Sequence, residues 1–174
     1  AWTKGRIWAS EAREMLRIDA LIGLDFLKQT NLTSDCESRL VRFGPIEAGV
    51  TFQSFYPGLP FVVVRMSVQG QPIKVMLDSG AEDLILFQRR VGGRFSMNKT
   101  REVKGVQHSG GKAELRKVQL SEVTIGPTGL AELEAFLMEG RVPDSGLDGV
   151  LGIRSLGLKK FSLDFQTNRM SWER

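Results

Sequence analysis

The chain has 174 residues, a formal net charge of +4, 41% apolar and 25% charged residues, and one Cys and one His. A single Cys excludes intrachain disulfides, and one Cys with one His leaves too few ligands for a Cys/His zinc site. No apolar run approaches the roughly 20 residues of a membrane-spanning helix, and the basic residues are scattered pairs such as Arg89-Arg90 and Lys159-Lys160 rather than a stripe interleaved with aromatics, which argues against nucleic acid as a partner.

In chain order, Trp8–Leu16 has the spacing of a short amphipathic helix. Ala20–Leu24 reads as a strand entering a brief helical turn, followed by a strand at Leu32–Cys36, a polar turn at Glu37-Ser38-Arg39 and a closing strand at Leu40–Phe43. Cys36 reads as a small apolar filler of its strand. The breakers Pro45, Gly49, Pro57 and Gly58 mark Gly44–Gly58 as a linker. Phe61–Val68 and Ile73–Leu77 read as strands joined by the turn Gln69-Gly70-Gln71. Asp78-Ser79-Gly80 is a loop between apolar runs, and Leu84–Phe87 resumes extended structure. Gly105, Gly110 and Gly111 make Glu102–Leu115 a glycine-rich hairpin. Val118–Ile125 is a strand closed by Gly126-Pro127, Ala131–Met138 fits helix or strand, and Gly140–Gly146 is a loop. The final segment repeats the first: strand Gly149–Ile153, helical turn, strand Phe161–Phe165, turn Gln166-Thr167-Asn168, strand Met170–Trp172.

That repetition is detailed. Residues 19–43 align with residues 148–172 without a gap. Asp19 matches Asp148, Gly23 matches Gly152, Leu27 matches Leu156 and Asp35 matches Asp164. Apolar character is kept at Leu21/Val150, Ile22/Leu151, Leu24/Ile153, Leu32/Phe161, Val41/Met170 and Phe43/Trp172. Residues 1–47 therefore read as the C-terminal remnant of a first unit whose front would precede Ala1, and residues 48–174 as a complete second unit.

The chemistry centres on Asp78. A carboxylate set between two apolar runs must be paired, hydrogen-bonded or functional. Asp-Ser-Gly alone is a common turn. Its meaning changes with Ala81 directly after it and with the apolar-apolar-Gly element Val150-Leu151-Gly152 downstream. Together these residues resemble the aspartic proteases of the retropepsin kind, single-lobed relatives of pepsin. Asp78-Ser79-Gly80-Ala81 fits the Asp-Thr/Ser-Gly-Ala motif, Glu82-Asp83 is similar to the acidic pair that often follows it, and Val150-Leu151-Gly152 fits the closing motif. The DGVLG…LDF ending is similar to that of bacterial members, which are often exported.

The resemblance covers about residues 59–174 and implies a mainly β, closed-barrel acid protease fold with one short helix per lobe. It implies peptide hydrolysis by two aspartates that share a proton and activate a water, with no cofactor and no metal. Asp78 would be one of the two, Ser79 would lock the dyad by a hydrogen bond to the partner loop, and Gly80 would admit substrate. Ala81, Glu82 and Asp83 would border the peptide, Gly110 and Gly111 would tip a flap spanning Gly105–Lys112, and Val150, Leu151 and Gly152 would support the catalytic loop.

One lobe supplies one aspartate. The second would come from a preceding lobe of the same protein or from a second copy in a symmetric dimer. Asp19, Asp25, Asp35 and Asp148 are poor substitutes, because none stands in an Asp-Ser/Thr-Gly context. His108, in the polar stretch Gln107–Gly111, reads as an exposed loop residue rather than a base. Two rivals to a peptidase remain at this level: the same fold used only for binding or dimerisation, and a generic β-barrel binding module, including one for nucleic acid.

Overall fold

The computed structural model describes residues 23–46, 52–54, 61–108, 111–140 and 146–174. The helix expected at Trp8–Leu16, the strand residues 20–22, Asp19 and Gly110 lie outside them. Among the described residues, no helix is long and apolar enough to cross a membrane.

Among the described residues, twelve strands form two sheets, and the helices are single turns. Strands β4 (Val63–Val68), β5 (Gln71–Asp78), β6 (Leu84–Phe87), β7 (Asn98–His108), β8 (Gly111–Ile125), β9 (Thr128–Met138) and β10 (Gly149–Gly152) make the larger sheet. Its order is β4-β5-β10-β6-β9-β8-β7, and β8 also pairs with β4 through Met66↔Ile125 and Val68↔Val123. That last pairing closes six strands into a barrel and leaves β7 outside the ring. Closure removes the unpaired edges that an open sheet would expose.

Alternation fills the barrel. Val64, Met66 and Val68 of β4, Ile73 and Val75 of β5, Leu84 and Leu86 of β6, Ala135 and Leu137 of β9 and Leu151 of β10 are all buried in one cluster. Burying each such aliphatic side chain contributes roughly 1.5–3 kcal/mol. Along β8 the inward set shifts phase, with Leu120 and Val123 both buried. Glu122 lies between them at φ 52°, and this left-handed residue turns the strand so that both neighbours face inward.

The smaller sheet contains β1 (Leu32–Asp35), β2 (Leu40–Phe43), β3 (Phe52–Ser54), β11 (Lys160–Asp164) and β12 (Arg169–Glu173), in the order β2-β1-β11-β12-β3. Strand β3 corrects the reading of Gly44–Gly58 as linker throughout. Three of its residues pair with Arg169–Ser171 along the outer side of β12. A second correction concerns Cys36, which is exposed in the turn after β1. The strand stops at Asp35 because that side chain turns back to cap the following turn.

The two repeat copies have the same local structure. A single helical turn at Leu24–Leu27 matches the 3₁₀ turn Ile153–Leu156, each entered from an extended glycine, Gly23 and Gly152. The hairpin β1–β2 pairs Leu32 with Phe43, and β11–β12 pairs Phe161 with Trp172, the same register one repeat later. In the turns, Asp35 Oδ1 accepts the Ser38 N–H at 2.8 Å and Asp164 Oδ1 accepts the Thr167 N–H at 3.0 Å. Arg39 and Asn168 follow, both left-handed, at φ 56° and 55°.

The two hairpins meet at β1–β11. Thr33 pairs with Ser162, and their hydroxyls are 2.9 Å apart and 129 residues apart in sequence. Leu32 pairs with Leu163 and Ser34 with Phe161, pairs that exchange places under the repeat shift. A local two-fold axis therefore passes between Thr33 and Ser162.

The turn aspartates carry a pH consequence. The Ser38 backbone N–H, and then its hydroxyl, hold Asp35 below the ordinary value of 3.8. Partial burial pushes the Asp164 carboxyl up, but the Thr167 and Gln166 N–H groups and Arg169 outweigh it, and its net shift is also downward from 3.8. A carboxyl lowered on folding stabilises the chain above its unfolded value, and that stabilisation is lost as pH falls through the folded value. Both turns are thus expected to weaken only below about pH 3.8. An acid titration followed by far-UV circular dichroism should show this component in wild type and lose it in the Asp35→Asn, Asp164→Asn double variant.

Candidate active site

Strands β5 and β6 are consecutive in sequence yet not neighbours. Strand β10 lies between them, parallel to β5 with Leu77↔Leu151 and Asp78↔Gly152, and antiparallel to β6 with Leu84↔Leu151. The loop Ser79–Asp83 must therefore pass over the end of β10, across two strand spacings of about 4.8 Å each. Asp78 ends β5 at the start of this crossing.

The crossing needs a residue without a side chain beneath it. A Cβ on Gly152 would lie 2.5 Å from the Ala81 carbonyl oxygen, 2.6 Å from the Glu82 carbonyl carbon and 2.7 Å from the Asp83 nitrogen. The Gly152 N–H donates to the Asp83 carbonyl at 2.9 Å, fixing the loop to its floor. Gly149 is similarly constrained, since a Cβ there would sit 2.2 Å from the Ile85 carbonyl oxygen. Gly152→Ala is expected to destabilise by about 3 kcal/mol, the upper range for overpacking, because only backbone can give way. Urea denaturation would measure it, and a loss under about 1 kcal/mol would mean the loop yields easily.

Asp78 is half-buried. Its Oδ1 accepts the Gly80 N–H at 2.8 Å, which ties the carboxylate to its own loop. No cation forms an ion pair with it among the described residues. Ser79 and Gly80 are exposed, and Ala81 is partly covered.

The acidic pair after the loop holds two neighbours. Glu82 meets Arg154 of the 3₁₀ turn at 2.7 Å, and Asp83 meets Lys104 of β7 at 3.3 Å. These pairs are exposed and contribute little stability, but they join the loop to the two elements beside it. Lys104 also sits 5.6 Å from the Phe136 ring centroid. Strands β7 and β8 form a long hairpin that runs beyond Lys104↔Leu115 and Gly105↔Glu114 to His108↔Gly111. Gly111 thus stands in the first position of β8, and His108 ends β7 rather than lying in a loop.

The sequence marks Asp148 through the repeat and the DGVLG element, but it does not mark the partners that hold it. Asp148 is buried, with Oδ2 accepting the Lys74 N–H at 2.8 Å and Oδ1 accepting from Arg94 Nη1 at 2.8 Å. Arg90 Nε lies 3.9 Å from the same oxygen, and Arg94 also hydrogen-bonds the Pro72 carbonyl. Asp148 N donates to Lys74 O at 2.7 Å. This aspartate clamps β10 to β5 just before the floor of the Asp78 loop. The arginines arrive through a one-turn helix at Gln88–Val91, too short to leave a periodic pattern.

A shallow cavity of about 530 Å³, lined by Ser67, Gly70, Glu122, Thr124 and Leu130, lies at the far end of β5 from Asp78. No cluster of three metal-ligating side chains occurs among the described residues.

A carboxylate at a β5–β6 crossing, floored by an apolar-apolar-Gly strand in a closed six-stranded barrel, defines the retropepsin-like class. The sequence matches the aspartyl protease family model over residues 64–154, just over half the chain, and the protein belongs to that family. Two solved structures are similar in fold. A retropepsin-like aspartic protease from Rickettsia conorii is 18% identical, with 69% of this chain and 86% of that one covered and a TM-score of 0.46. EIAV protease complexed with the inhibitor HBY-793 is 17% identical, with 59% and 93% covered and a TM-score of 0.47. Among curated proteins none matches the sequence significantly.

Proposed function

We propose that the protein is an aspartic endopeptidase in which Asp78 supplies one carboxyl of a two-aspartate site. The observation that carries this reading is the placement of Asp78: half-buried, held by Gly80 N–H, and set at a loop whose floor is Gly152. A bond from a backbone N–H is shared with the turn aspartates Asp35 and Asp164; the Gly152 floor is what sets the Asp78 loop apart.

Two aspartates placed face to face cannot both ionise and share one proton. One carboxylate takes a proton from a bound water, which attacks the peptide carbonyl carbon. The other carboxyl donates its proton to the carbonyl oxygen, giving a neutral tetrahedral diol. Proton transfer to the departing nitrogen then accompanies C–N cleavage. The pair titrates as a unit, so neither role belongs to one residue. Ser79 faces the partner loop, Ala81, Glu82 and Asp83 border the peptide, and the β7–β8 hairpin closes over it. Val150, Leu151 and Gly152 hold the loop from below.

Cleavage of an unfolded protein by the full-length polypeptide, followed across roughly pH 3–7, tests the reading. A pair that shares one proton should work on the acid side of that window. A folded protein that cleaves nothing there would instead be a binding domain of the same fold.

A further inference from the structure

We infer that the exposed face of the β1–β2 hairpin docks a second barrel carried upstream on the same polypeptide, and that this barrel, not a second copy, supplies the partner of Asp78. The inference rests on the peptidase reading only for the word partner. The surface itself is argued from symmetry.

The first observation is that the two-fold position is already filled. A symmetric dimer built through this sheet would set β11 against β11 of another copy. Here β11 has β12 on one side and β1 on the other, and β12 is covered by β3. No edge of β11 is left to accept a second copy. The chain's own residues 32–35 occupy that place, in the register a two-fold axis requires.

The second observation is what the matching residues do. Met170 and Trp172 of β12 are 1% and 9% exposed, packed on the barrel core. Their repeat partners Val41 and Phe43 are 56% and 50% exposed. Leu40 and Phe26 are also large, apolar and exposed, at 48% and 44%. Val41 and Phe43 alternate onto one face of β2, and exposed apolar side chains of this kind mark an interface. The occupant follows from the repeat: what covers Met170 and Trp172 is a barrel of this fold, so the same shape fits Val41 and Phe43.

The third observation is Gly23. Its counterpart Gly152 is required because the Asp78 loop crosses it. At Gly23, among the described residues, a Cβ would approach within 3 Å only the carboxylate of Asp25, at 2.5 Å. The extended glycine before the helical turn is the floor for a second crossing loop, which the upstream barrel would bring with its own aspartate. The local two-fold between Thr33 and Ser162 would then relate that loop to the one carrying Asp78.

The test is made on the full-length polypeptide. Wild-type and Asp78→Asn chains are coexpressed at varied ratios, and activity is plotted against the wild-type fraction. One Asp78 per site gives a straight line, about half activity at equal mixing; an Asp78–Asp78 dyad in a two-fold dimer gives the square, about a quarter. Native mass and hydrogen exchange of the β2 amides facing away from β1 are read on the same samples. A straight line, a monomer mass and protected amides are the expected result. A squared dependence with a dimer mass overturns the inference, as do unprotected β2 amides in a monomer. An inactive monomer with protected amides would retain the docked barrel and reject the peptidase reading.

Discussion

Asp78→Asn is expected to lower peptidase activity by about 10³-fold or more, within the range for losing a positioned acid–base group, with little change in stability. The two expectations separate because of where the residue stands. Its carboxylate makes one hydrogen bond, to Gly80 N–H, and no ion pair among the described residues. An amide oxygen keeps that bond, so the loop should hold its shape. What the amide cannot do is share a proton with a second carboxyl. The measurement is cleavage of an unfolded substrate beside a urea unfolding curve. Activity within tenfold of wild type would remove Asp78 from the chemistry. An unfolded variant would show instead that the carboxylate is structural.

A stability effect as large as that of Gly152→Ala is expected at a different aspartate. Asp148→Ala should cost about 3 kcal/mol, the lower range for breaking a buried pair, because Arg90 and Arg94 keep partial contact with solvent. Three bonds are lost together: from Lys74 N–H, from Arg94, and the longer contact to Arg90. Asp148→Asn should cost less, since an amide oxygen can still accept the Lys74 N–H. Denaturation midpoints at constant slope give both values. Equal losses in the two variants would mean that charge, not hydrogen bonding, dominates the clamp.

These two aspartates show what can be read from sequence and what cannot. Asp78 announces itself because it interrupts a local pattern, an apolar run that rises to Asp-Ser-Gly-Ala and resumes at Leu84. The repeat was legible for the same reason, since the hairpin registers follow from alternation and from turn residues such as Asp35 and Asp164. Asp148 is marked by its match to Asp19 and by the DGVLG element, but what it holds is not. Its partners lie on β5 and after a four-residue helix, distant in sequence, and only the insertion of β10 brings them together. Strand β3 was hidden among breakers because three residues paired to one edge need no periodicity. Barrel closure was expected from the resemblance alone, because inward alternation looks alike in open and closed sheets, and the β4–β8 pairing supplies it. Ala131–Met138 fitted either state locally, and pairing with β8 and β6 decides for strand.

The insertion of β10 between β5 and β6 also orders events in time. The loop bearing Asp78 has no floor until Gly149–Gly152, some 70 residues later, has been synthesised and threaded into place. Contacts of such sequence separation form late, after loop-closure entropy has been overcome. The Asp78 loop is thus among the last parts of the barrel to be assembled. If it carries the proposed chemistry, a chain that stalls or is truncated before Gly152 exposes no formed site to the proteins around it.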